Sequence, residues 1–238
     1  MRKLQAAHDL CDVKRHKTPI RALTQREKLH LIAHIIETSG PMIGKIMTDF
    51  DAVSPLSYRT LLMAVSDNCI PLLIQQNTRN GSSIFRRGWN VYKVGFNDSD
   101  GNFWIGNEIL HQLTMSGGFR LRVDLQSANS PTLQYWAEYG SIVVAGEEAD
   151  YRLKVTQFMG NTGTDALAHH NHMKFTTVDR DNDYNGFGNC AGRSFHGGFW
   201  FRNCYQCCLT CQGQNFEWAG LRGGQQLTTS RMWLMCQY

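Results

Sequence analysis

Alternation of apolar and polar side chains marks several short strands in the last two thirds of the chain. The clearest is Phe119–Leu125 (FRLRVDL), and Ser141–Ala145 and Tyr151–Gln157 alternate in the same way. Leu72–Gln76 is a further strand candidate, while Gly106–Thr114 has the composition of a short helix. Strands that follow one another without regular intervening helices form antiparallel sheets. The pattern therefore predicts an α+β fold with an antiparallel sheet and short helices.

The first 71 residues have a different pattern. Thr24-Gln-Arg-Glu27 has the spacing of a helix capping box, an apolar stretch follows it, and Gly40-Pro41 is a stop signal. We predict one helix over about residues 25–38. From Leu72 onward the chain changes to short strands and turn residues, so we divide it into an amino-terminal segment, 1–71, and a domain, 72–238.

The composition is that of a folded protein. A chain of 238 residues is long enough to bury a sizeable core, and 42% hydrophobic with 11% aromatic residues excludes a disordered chain. The net charge of +4 is mild, and basic residues are concentrated near the amino terminus. We interpret that region as a solvated basic arm and not as a nucleic-acid site, so no nucleic-acid partner is expected.

The cysteine content indicates an oxidising compartment. The chain has eight cysteines, most of them in its last quarter, and such density is typical of secreted proteins. No apolar run of about 18 residues predicts a membrane span, and the amino terminus lacks the apolar core of a secretory signal. We therefore expect an extracellular protein whose true start lies upstream, or of which this chain is a fragment.

Three aspartates alternate in the segment between Phe175 and Cys204. Asp179, Asp181 and Asp183 are two residues apart, a spacing that lets a short loop gather oxygen atoms around a hard cation. The glycine-containing turn that follows them can supply backbone carbonyls, and Ca²⁺ is the cation that such ligands suit. The alternative is that these aspartates form only Asx turns in a surface loop.

Two C-x-x-C spacings, Cys204–Cys207 and Cys208–Cys211, allow a zinc-binding or redox interpretation. His30 and His34, one helical turn apart, are further candidate zinc ligands. A structural zinc site normally has two knuckles separated by a longer segment, so extra disulfides or unpaired thiols are the favoured alternative. The sequence leaves open the pairing of Cys11, Cys69, Cys207, Cys208, Cys211 and Cys236.

Two triplets, Asn80-Gly-Ser82 and Asn97-Asp-Ser99, match the acceptor sequence for N-linked glycosylation. Such triplets also occur by chance, and they are used only in secreted chains. Asn80 and Asn97 are therefore candidate glycosylation sites that depend on the compartment.

Many short motifs in a fixed order carry a resemblance to a known family. They are Trp89–Phe96, Asn102–Glu108, Leu121–Leu125, Tyr151–Val155, Asp165–Leu167, Phe175–Thr177, Asp179–Asp183, Asn189–Ala191 and Trp200. Over Leu72–Tyr238 the chain resembles the fibrinogen C-terminal (fibrinogen-related) domain family. It looks most like the terminal globe of tenascins, with microfibril-associated glycoprotein and ficolin relatives.

The resemblance implies a fibrinogen C-terminal-like fold, with a central twisted antiparallel sheet and a loop-rich, calcium-binding carboxyl-terminal subdomain. It implies Ca²⁺ as the cofactor, with the carboxylates of Asp181 and Asp183 as ligands and Asp179 outside the set. Two backbone carbonyls would complete the protein ligands, from Asn185 and from Phe187 or Gly188. The family's amino-terminal subdomain is absent here or replaced by the amino-terminal segment.

The resemblance also implies a disulfide between Cys190 and Cys204, and a cis peptide bond between Asn203 and Cys204. In the family that bond helps form a ligand pocket. This chain departs from the family there, because Tyr205 stands where histidine is common and glutamines replace tyrosines near the end. The remaining pocket candidates are Asn203, Cys204, Tyr205 and Trp218.

These features predict a non-enzymatic extracellular recognition or adhesion module of the tenascin-like matrix type. Ca²⁺ would stabilise it, and its partner would be a protein or a glycan. A ficolin-like innate-immune lectin for acetylated ligands is the alternative, and a zinc or redox protein that uses Cys204–Cys211 is a third. Formation of a homo-oligomer through an upstream region that this chain does not contain is left open.

Overall fold

The computed structural model describes residues 71–78, 84–115, 117–193, 196–221 and 224–236. These residues belong to a compact unit, Cys69–Tyr238. Several predictions fall outside the described residues: the helix at 25–38, the amino-terminal segment 1–71, His30, His34, Cys11, Cys69 and the Asn80 glycosylation site.

Seven strands and two α-helices make up the described domain. The strands are β1 (Leu72–Thr78), β2 (Phe96–Asn97), β3 (Phe103–Trp104), β4 (Phe119–Ser127), β5 (Ser130–Val144), β6 (Leu153–Gly160) and β7 (Leu227–Cys236). The helices are α1 (Trp89–Val94) and α2 (Asn107–Met115). All strands join one antiparallel sheet in the order β2-β3-β1-β7-β4-β5-β6, so the predicted α+β fold is confirmed.

Strand β4 lies near the middle of the sheet, between β5 and β7. Its apolar residues Phe119, Leu121, Val123 and Leu125 are buried on one face, and the polar residues between them lie on the other. This is the pattern from which the strand was predicted. None of the described helices is both long enough and apolar enough to cross a membrane.

Strand β5 is much longer than the predicted Ser141–Ala145. It begins at Ser130, and its buried residues Tyr135, Ala137 and Tyr139 continue the alternation toward the amino terminus. The exposed first residues of this strand interrupt the apolar pattern, which is why the sequence predicts only its end.

Strand β6 begins at Leu153 and not at the predicted Tyr151, because Asp150 and Tyr151 have positive φ angles of 54° and 48°. β6 is the last strand of the sheet, and no other strand of the described residues pairs with its outer edge. The side chain of Asn171 covers part of that edge. Its amide donates to the carbonyl of Val155 at 2.9 Å, and its oxygen accepts the N–H of Val155 at 3.0 Å.

An aromatic core lies between the sheet and the loops that follow β6. Phe175 is fully buried at its centre. Its ring centroid lies 5.1 Å from Tyr92, 5.7 Å from Trp104 and 5.2 Å from Trp200, and Trp89 is 6.4 Å away. These rings meet at tilted or edge-to-face angles, which is the favoured geometry for aromatic pairs.

Two buried amides of β1 attach the carboxyl-terminal loops to the sheet. The Gln75 side chain donates to the carbonyl of Leu209 at 3.0 Å, and the Asn77 side chain donates to Leu209 and Cys211 at 2.9 Å each. Buried amides are costly unless they are hydrogen-bonded, so these contacts fix where the loop lies on the sheet.

Candidate calcium loop and the adjoining surface

The carboxylate of Asp183 organises the loop that was predicted to bind calcium. Its Oδ1 accepts the N–H of Asn185 and its Oδ2 accepts the N–H of Cys190, both at 2.8 Å. Burial raises the pKa of Asp183, and the negative charge of the neighbouring Asp181 raises it further. The hydrogen bonds from the two N–H groups lower the pKa, but the net shift is upward. The loop thus holds a half-buried carboxylate beside a second one, an arrangement that a bound cation would stabilise.

The Asp181 side chain is exposed, and its Oδ1 accepts the N–H of Asp183 at 3.3 Å. The sequence left open whether Phe187 or Gly188 supplies a carbonyl. The Gly188 carbonyl accepts the Asn185 side-chain amide at 2.6 Å, whereas within the described part of the chain no hydrogen bond reaches the Phe187 carbonyl. The Asn185 carbonyl likewise accepts the N–H of Gly188 at 3.3 Å, so the choice between Phe187 and Gly188 stays a prediction.

Asp179 has a different role from the other two aspartates. Its Oδ1 accepts the N–H of Trp89, the first residue of α1, at 2.8 Å and the hydroxyl of Thr177 at 2.7 Å. Burial works against ionisation of Asp179, but these hydrogen bonds, its own backbone N–H and the Arg180 charge lower its pKa. Asp179 therefore anchors the start of α1 to the loop, which agrees with its place outside the predicted ligand set.

The donor atoms of the loop suit calcium better than zinc. Across the described ranges, no group of three or more His, Cys, Asp or Glu side chains lies close enough to hold a metal ion. A site at Asp181 and Asp183 would therefore have two carboxylates, with the other ligands coming from backbone carbonyls and water. Ca²⁺ accepts such a set of six to eight oxygen ligands, whereas structural zinc sites use Cys and His.

A disulfide joins Cys190 to Cys204, whose Cα atoms lie 5.5 Å apart. Closing a loop of this size is worth about 3 kcal/mol in the chain-entropy model. Because Asp183 accepts the Cys190 N–H, the disulfide and the carboxylate hold the same end of the loop. The peptide bond between Asn203 and Cys204 is trans, since the described residues contain no cis peptide. The prediction of a cis bond is therefore wrong here. The chain has the trans peptide, which is favoured by about 3–4 kcal/mol at a residue that is not proline.

Three of the four predicted pocket residues lie at the surface beside this disulfide. Asn203 is exposed, and Cys204 and Tyr205 are half-buried. The Tyr205 hydroxyl donates to the side chain of Asn215 at 3.0 Å, and its ring meets His196 edge-to-face with the centroids 5.1 Å apart. The surface thus has an aromatic wall with one hydroxyl held in place.

Trp218, the fourth predicted pocket residue, lies in the interior. It is fully buried, and its indole N–H donates to the carbonyl of Thr164 at 3.3 Å. Because the indole N–H has a partner inside the protein, the ring does not need to face water. The prediction that Trp218 lines an open pocket is therefore corrected.

The cysteines after Cys204 form no zinc site. Cys208 and Cys211 are joined by a disulfide with Cα atoms 5.2 Å apart, while Cys204 is bonded to Cys190. Cys207 is a buried thiol, and burial raises its pKa well above the usual range for cysteine. Zinc binds thiolates, which neither a disulfide nor a buried protonated thiol provides. Among the described residues the zinc part of the Cys204–Cys211 alternative is therefore wrong, while the Cys208–Cys211 disulfide does not test its redox part.

His170 is a buried residue of this region that was not predicted from the sequence. Its Nδ1 donates to the carbonyl of Trp200 at 2.8 Å, and its Nε2 accepts the N–H groups of Gln206 and Cys207, both at 3.2 Å. Burial lowers the pKa of His170 to about 3, so the ring is neutral near pH 7. It thereby holds the backbone next to Tyr205. The sequence HHNHM contains several histidines and gives no signal that distinguishes this one.

Asn97 is exposed on β2, and we expect it to carry an N-linked glycan when the chain is secreted from eukaryotic cells. Asn97→Gln and, independently, Ser99→Ala should each reduce the mass of the secreted protein by one glycan, as measured by intact-mass spectrometry before and after enzymatic deglycosylation. An unchanged mass in both variants would contradict this prediction.

Comparison with known proteins places this geometry in a family. The family model described as "Fibrinogen beta and gamma chains, C-terminal globular domain" matches residues 63–229. Human ficolin-3 is 35% identical over 160 residues, which cover 63% of this chain and 52% of ficolin-3. Tenascin of Gallus gallus is 37% identical over 151 residues, covering 60% of this chain and 8% of tenascin.

Human microfibril-associated glycoprotein 4 is 41% identical over 135 residues, covering 55% of this chain and 51% of that protein. The chain therefore spans about half the length of ficolin-3 and of microfibril-associated glycoprotein 4, and a small part of tenascin.

Solved structures give the same result. The fibrinogen-like globe domain of human ANGPTL6 is similar with a TM-score of 0.62 at 31% identity, covering 70% of this chain and 78% of that domain. The lamprey fibrin D-dimer, complexed with the peptide ligand Gly-His-Arg-Pro-amide, has a TM-score of 0.60 at 26% identity, covering 69% and 60%. The resemblance seen in the sequence is confirmed: the chain belongs to the family of fibrinogen C-terminal globular domains.

Proposed function

We propose that this domain is an extracellular recognition module of the matrix or cell-adhesion type, stabilised by Ca²⁺, that binds a protein or glycan partner. Its family consists of non-enzymatic binding modules, and the fibrinogen-related relatives are secreted. The observation that carries the proposal is the pair Asp181 and Asp183, held on a loop that the Cys190–Cys204 disulfide closes. A bound Ca²⁺ would fix this loop beside Tyr205.

The ligand surface in this proposal consists of Asn203, Cys204 and Tyr205. The disulfide fixes Cys204, and His170 holds the backbone just after Tyr205 by accepting the N–H groups of Gln206 and Cys207. A surface that is ordered before binding loses less conformational entropy when a partner docks. Calcium would then act through structure, by fixing the loop, and not by contacting the partner.

Calcium is expected to raise the melting temperature of the full chain. At a concentration 100 times its dissociation constant, a ligand stabilises the folded state by about 2.7 kcal/mol, which corresponds to roughly 5–10 °C for a domain of this size. Asp181→Asn should abolish most of this shift, because it removes one negative ligand. Differential scanning calorimetry with Ca²⁺, Mg²⁺ and Zn²⁺ measures the effect.

Asp181 is the better position for this test, because it is exposed whereas Asp183 also supports the loop backbone. Asp100→Asn, at an exposed aspartate outside the loop, is the matched control and should retain the calcium shift. An equal shift in wild type and Asp181→Asn, or a shift with Zn²⁺ alone, would show that the calcium assignment is wrong.

A ficolin-like lectin for acetylated ligands is the second candidate, favoured by the 35% identity to ficolin-3 and by the half-exposed ring of Tyr205. The burial of Trp218 leaves fewer aromatic rings to pack on an acetyl group. Calorimetric titration with N-acetylglucosamine, with glucose as the control, separates the two functions. Binding of the acetylated sugar that Tyr205→Ala abolishes would establish the lectin. No binding leaves the adhesion module as the proposal.

The peptide Gly-His-Arg-Pro-amide is a further ligand for the same titration, because the lamprey fibrin D-dimer was solved with it.

A further inference from the structure

Two aromatic side chains project into solvent at the tip of the candidate calcium loop. Phe187 is 96% exposed and Tyr184 is 61% exposed. A fully exposed phenylalanine leaves a large apolar surface in contact with water, which is unfavourable unless another surface covers it. We call Tyr184 and Phe187, with Asn185 and Gly186 between them, the aromatic tip.

The backbone that carries the aromatic tip is held in place. The N–H of Tyr184 donates to the carbonyl of Arg202 at 2.7 Å, and the side chain of Asn185 donates to the carbonyl of Gly188 at 2.6 Å. Gly188 has a φ of 116°, which L side chains rarely adopt, so the turn after Phe187 depends on glycine. The aromatic rings are thus displayed on an ordered turn, which lowers the entropy cost of docking them.

Three exposed arginines lie in segments that adjoin the same loop. The carbonyl of Arg202 accepts the N–H of Tyr184, and Arg193 directly follows the short helical turn Cys190–Gly192. The guanidinium of Arg86 reaches this turn, donating to the carbonyls of Gly192 and Arg193 at 3.2 and 3.0 Å. Among the described residues, none of the three arginines forms an ion pair.

A protein partner and a lipid membrane differ in how much apolar surface they need to bind the aromatic tip. A stable protein interface buries about 800 Å² on each partner around a central apolar patch. The other large apolar side chains exposed in the described chain lie on α1, α2, β5 and β6, and not on this loop. An anionic membrane needs only a few inserted aromatic rings, with basic side chains at the level of the phosphate groups.

We propose that the aromatic tip inserts into the interface of an anionic phospholipid membrane, with Arg86, Arg193 and Arg202 on the lipid phosphates. The inference rests on the proposed calcium site in one respect: bound Ca²⁺ would neutralise the Asp181 and Asp183 carboxylates, which otherwise repel such a surface. Each arginine near an anionic surface strengthens binding roughly fivefold, so the cations and the inserted ring together suffice for reversible binding.

The test is co-sedimentation of the full chain with vesicles of phosphatidylcholine alone and of equimolar phosphatidylcholine and phosphatidylserine, in buffer containing Ca²⁺. We expect binding to the mixed vesicles only. Phe187→Ala should weaken this binding roughly tenfold, and Arg202→Gln roughly fivefold. In a Phe187→Trp variant, bromine-labelled lipid should quench the added indole, which reports insertion directly.

Met159→Ala, at an exposed methionine on β6, is the matched control and should bind like the wild type. Equal binding to both kinds of vesicle, or full binding by Phe187→Ala, would overturn the proposal. An absence of binding to the mixed vesicles would also overturn it. A Phe187-dependent complex with a purified matrix protein would then identify the tip as a protein-docking site. The calcium melting shift is measured on the same samples, so a failed calcium site and a failed lipid surface give different results.

Discussion

Replacement of Phe175 by alanine is expected to lower the free energy of unfolding by about 3–5 kcal/mol. Its ring is fully buried and contacts Tyr92, Trp104 and Trp200, so truncation leaves a cavity that these large rings cannot fill without moving. The loss is a large fraction of the 5–15 kcal/mol that stabilises a typical domain. Equilibrium unfolding in urea, followed by tryptophan fluorescence, measures it.

Phe187→Ala is the matched control for this prediction, since it removes the same side chain from a position that is 96% exposed. Its effect on unfolding should stay within about 0.5 kcal/mol. Phe175→Leu, which keeps most of the volume, should cost less than Phe175→Ala. If Phe175→Ala and Phe187→Ala unfold at the same urea concentration, the ring of Phe175 does not have the structural role assigned to it.

Acidification is expected to destabilise the domain through His170. Its pKa is about 3 in the folded protein and 6.5 in the reference state, because burial disfavours the charged ring. The unfolded chain therefore binds a proton between these values that the folded chain does not. The contribution of neutral His170 to the free energy of unfolding is therefore fully present above pH 6.5 and is lost as the pH falls toward 3. The slope reaches about 1.4 kcal/mol per pH unit.

Urea unfolding between about pH 4.5 and 7 measures this slope while most carboxylates stay ionised. His170→Gln removes the titrating ring, so its free energy of unfolding should be lower at neutral pH but should depend less on pH. Asp183 and Glu217 have raised pKa values, which oppose the effect, and the difference between wild type and variant cancels them. His172→Asn, at an exposed histidine, should keep the wild-type slope. Parallel profiles for wild type and His170→Gln would contradict the assignment.

Local pattern was enough to predict the strands whose two faces have different environments. In β4 every second residue is buried, so the alternation in the sequence is the alternation in the structure. It was not enough for α1, because six residues with Trp89 and Tyr92 buried are too short to show a helical period. The start of β6 was also missed, since Asp150 and Tyr151 have positive φ angles, which the alternation of side chains does not reveal.

The residues of the candidate site also differ in whether the sequence was enough to propose them. Asp181, Asp183 and the disulfide partners Cys190 and Cys204 lie within one continuous segment, so the family resemblance could be applied to them residue by residue. The burial of Trp218 and the contacts of His170 depend on segments that are distant in the chain. The Trp200 carbonyl and the N–H groups of residues 206 and 207 meet the His170 ring only after folding.

The side chain of Asn171 affects whether neighbouring copies of this domain can pair through the edges of their sheets. Exposed sheet edges allow strands of neighbouring molecules to pair, and this is a common route to aggregation. Here the β6 edge is blocked at Val155, and Gln157, with a φ of 59°, bends the remaining part away from an extended line. The opposite edge, β2, has only two residues. Within the described residues, neither edge of the sheet therefore offers a long, straight row of unpaired backbone groups to a neighbouring molecule.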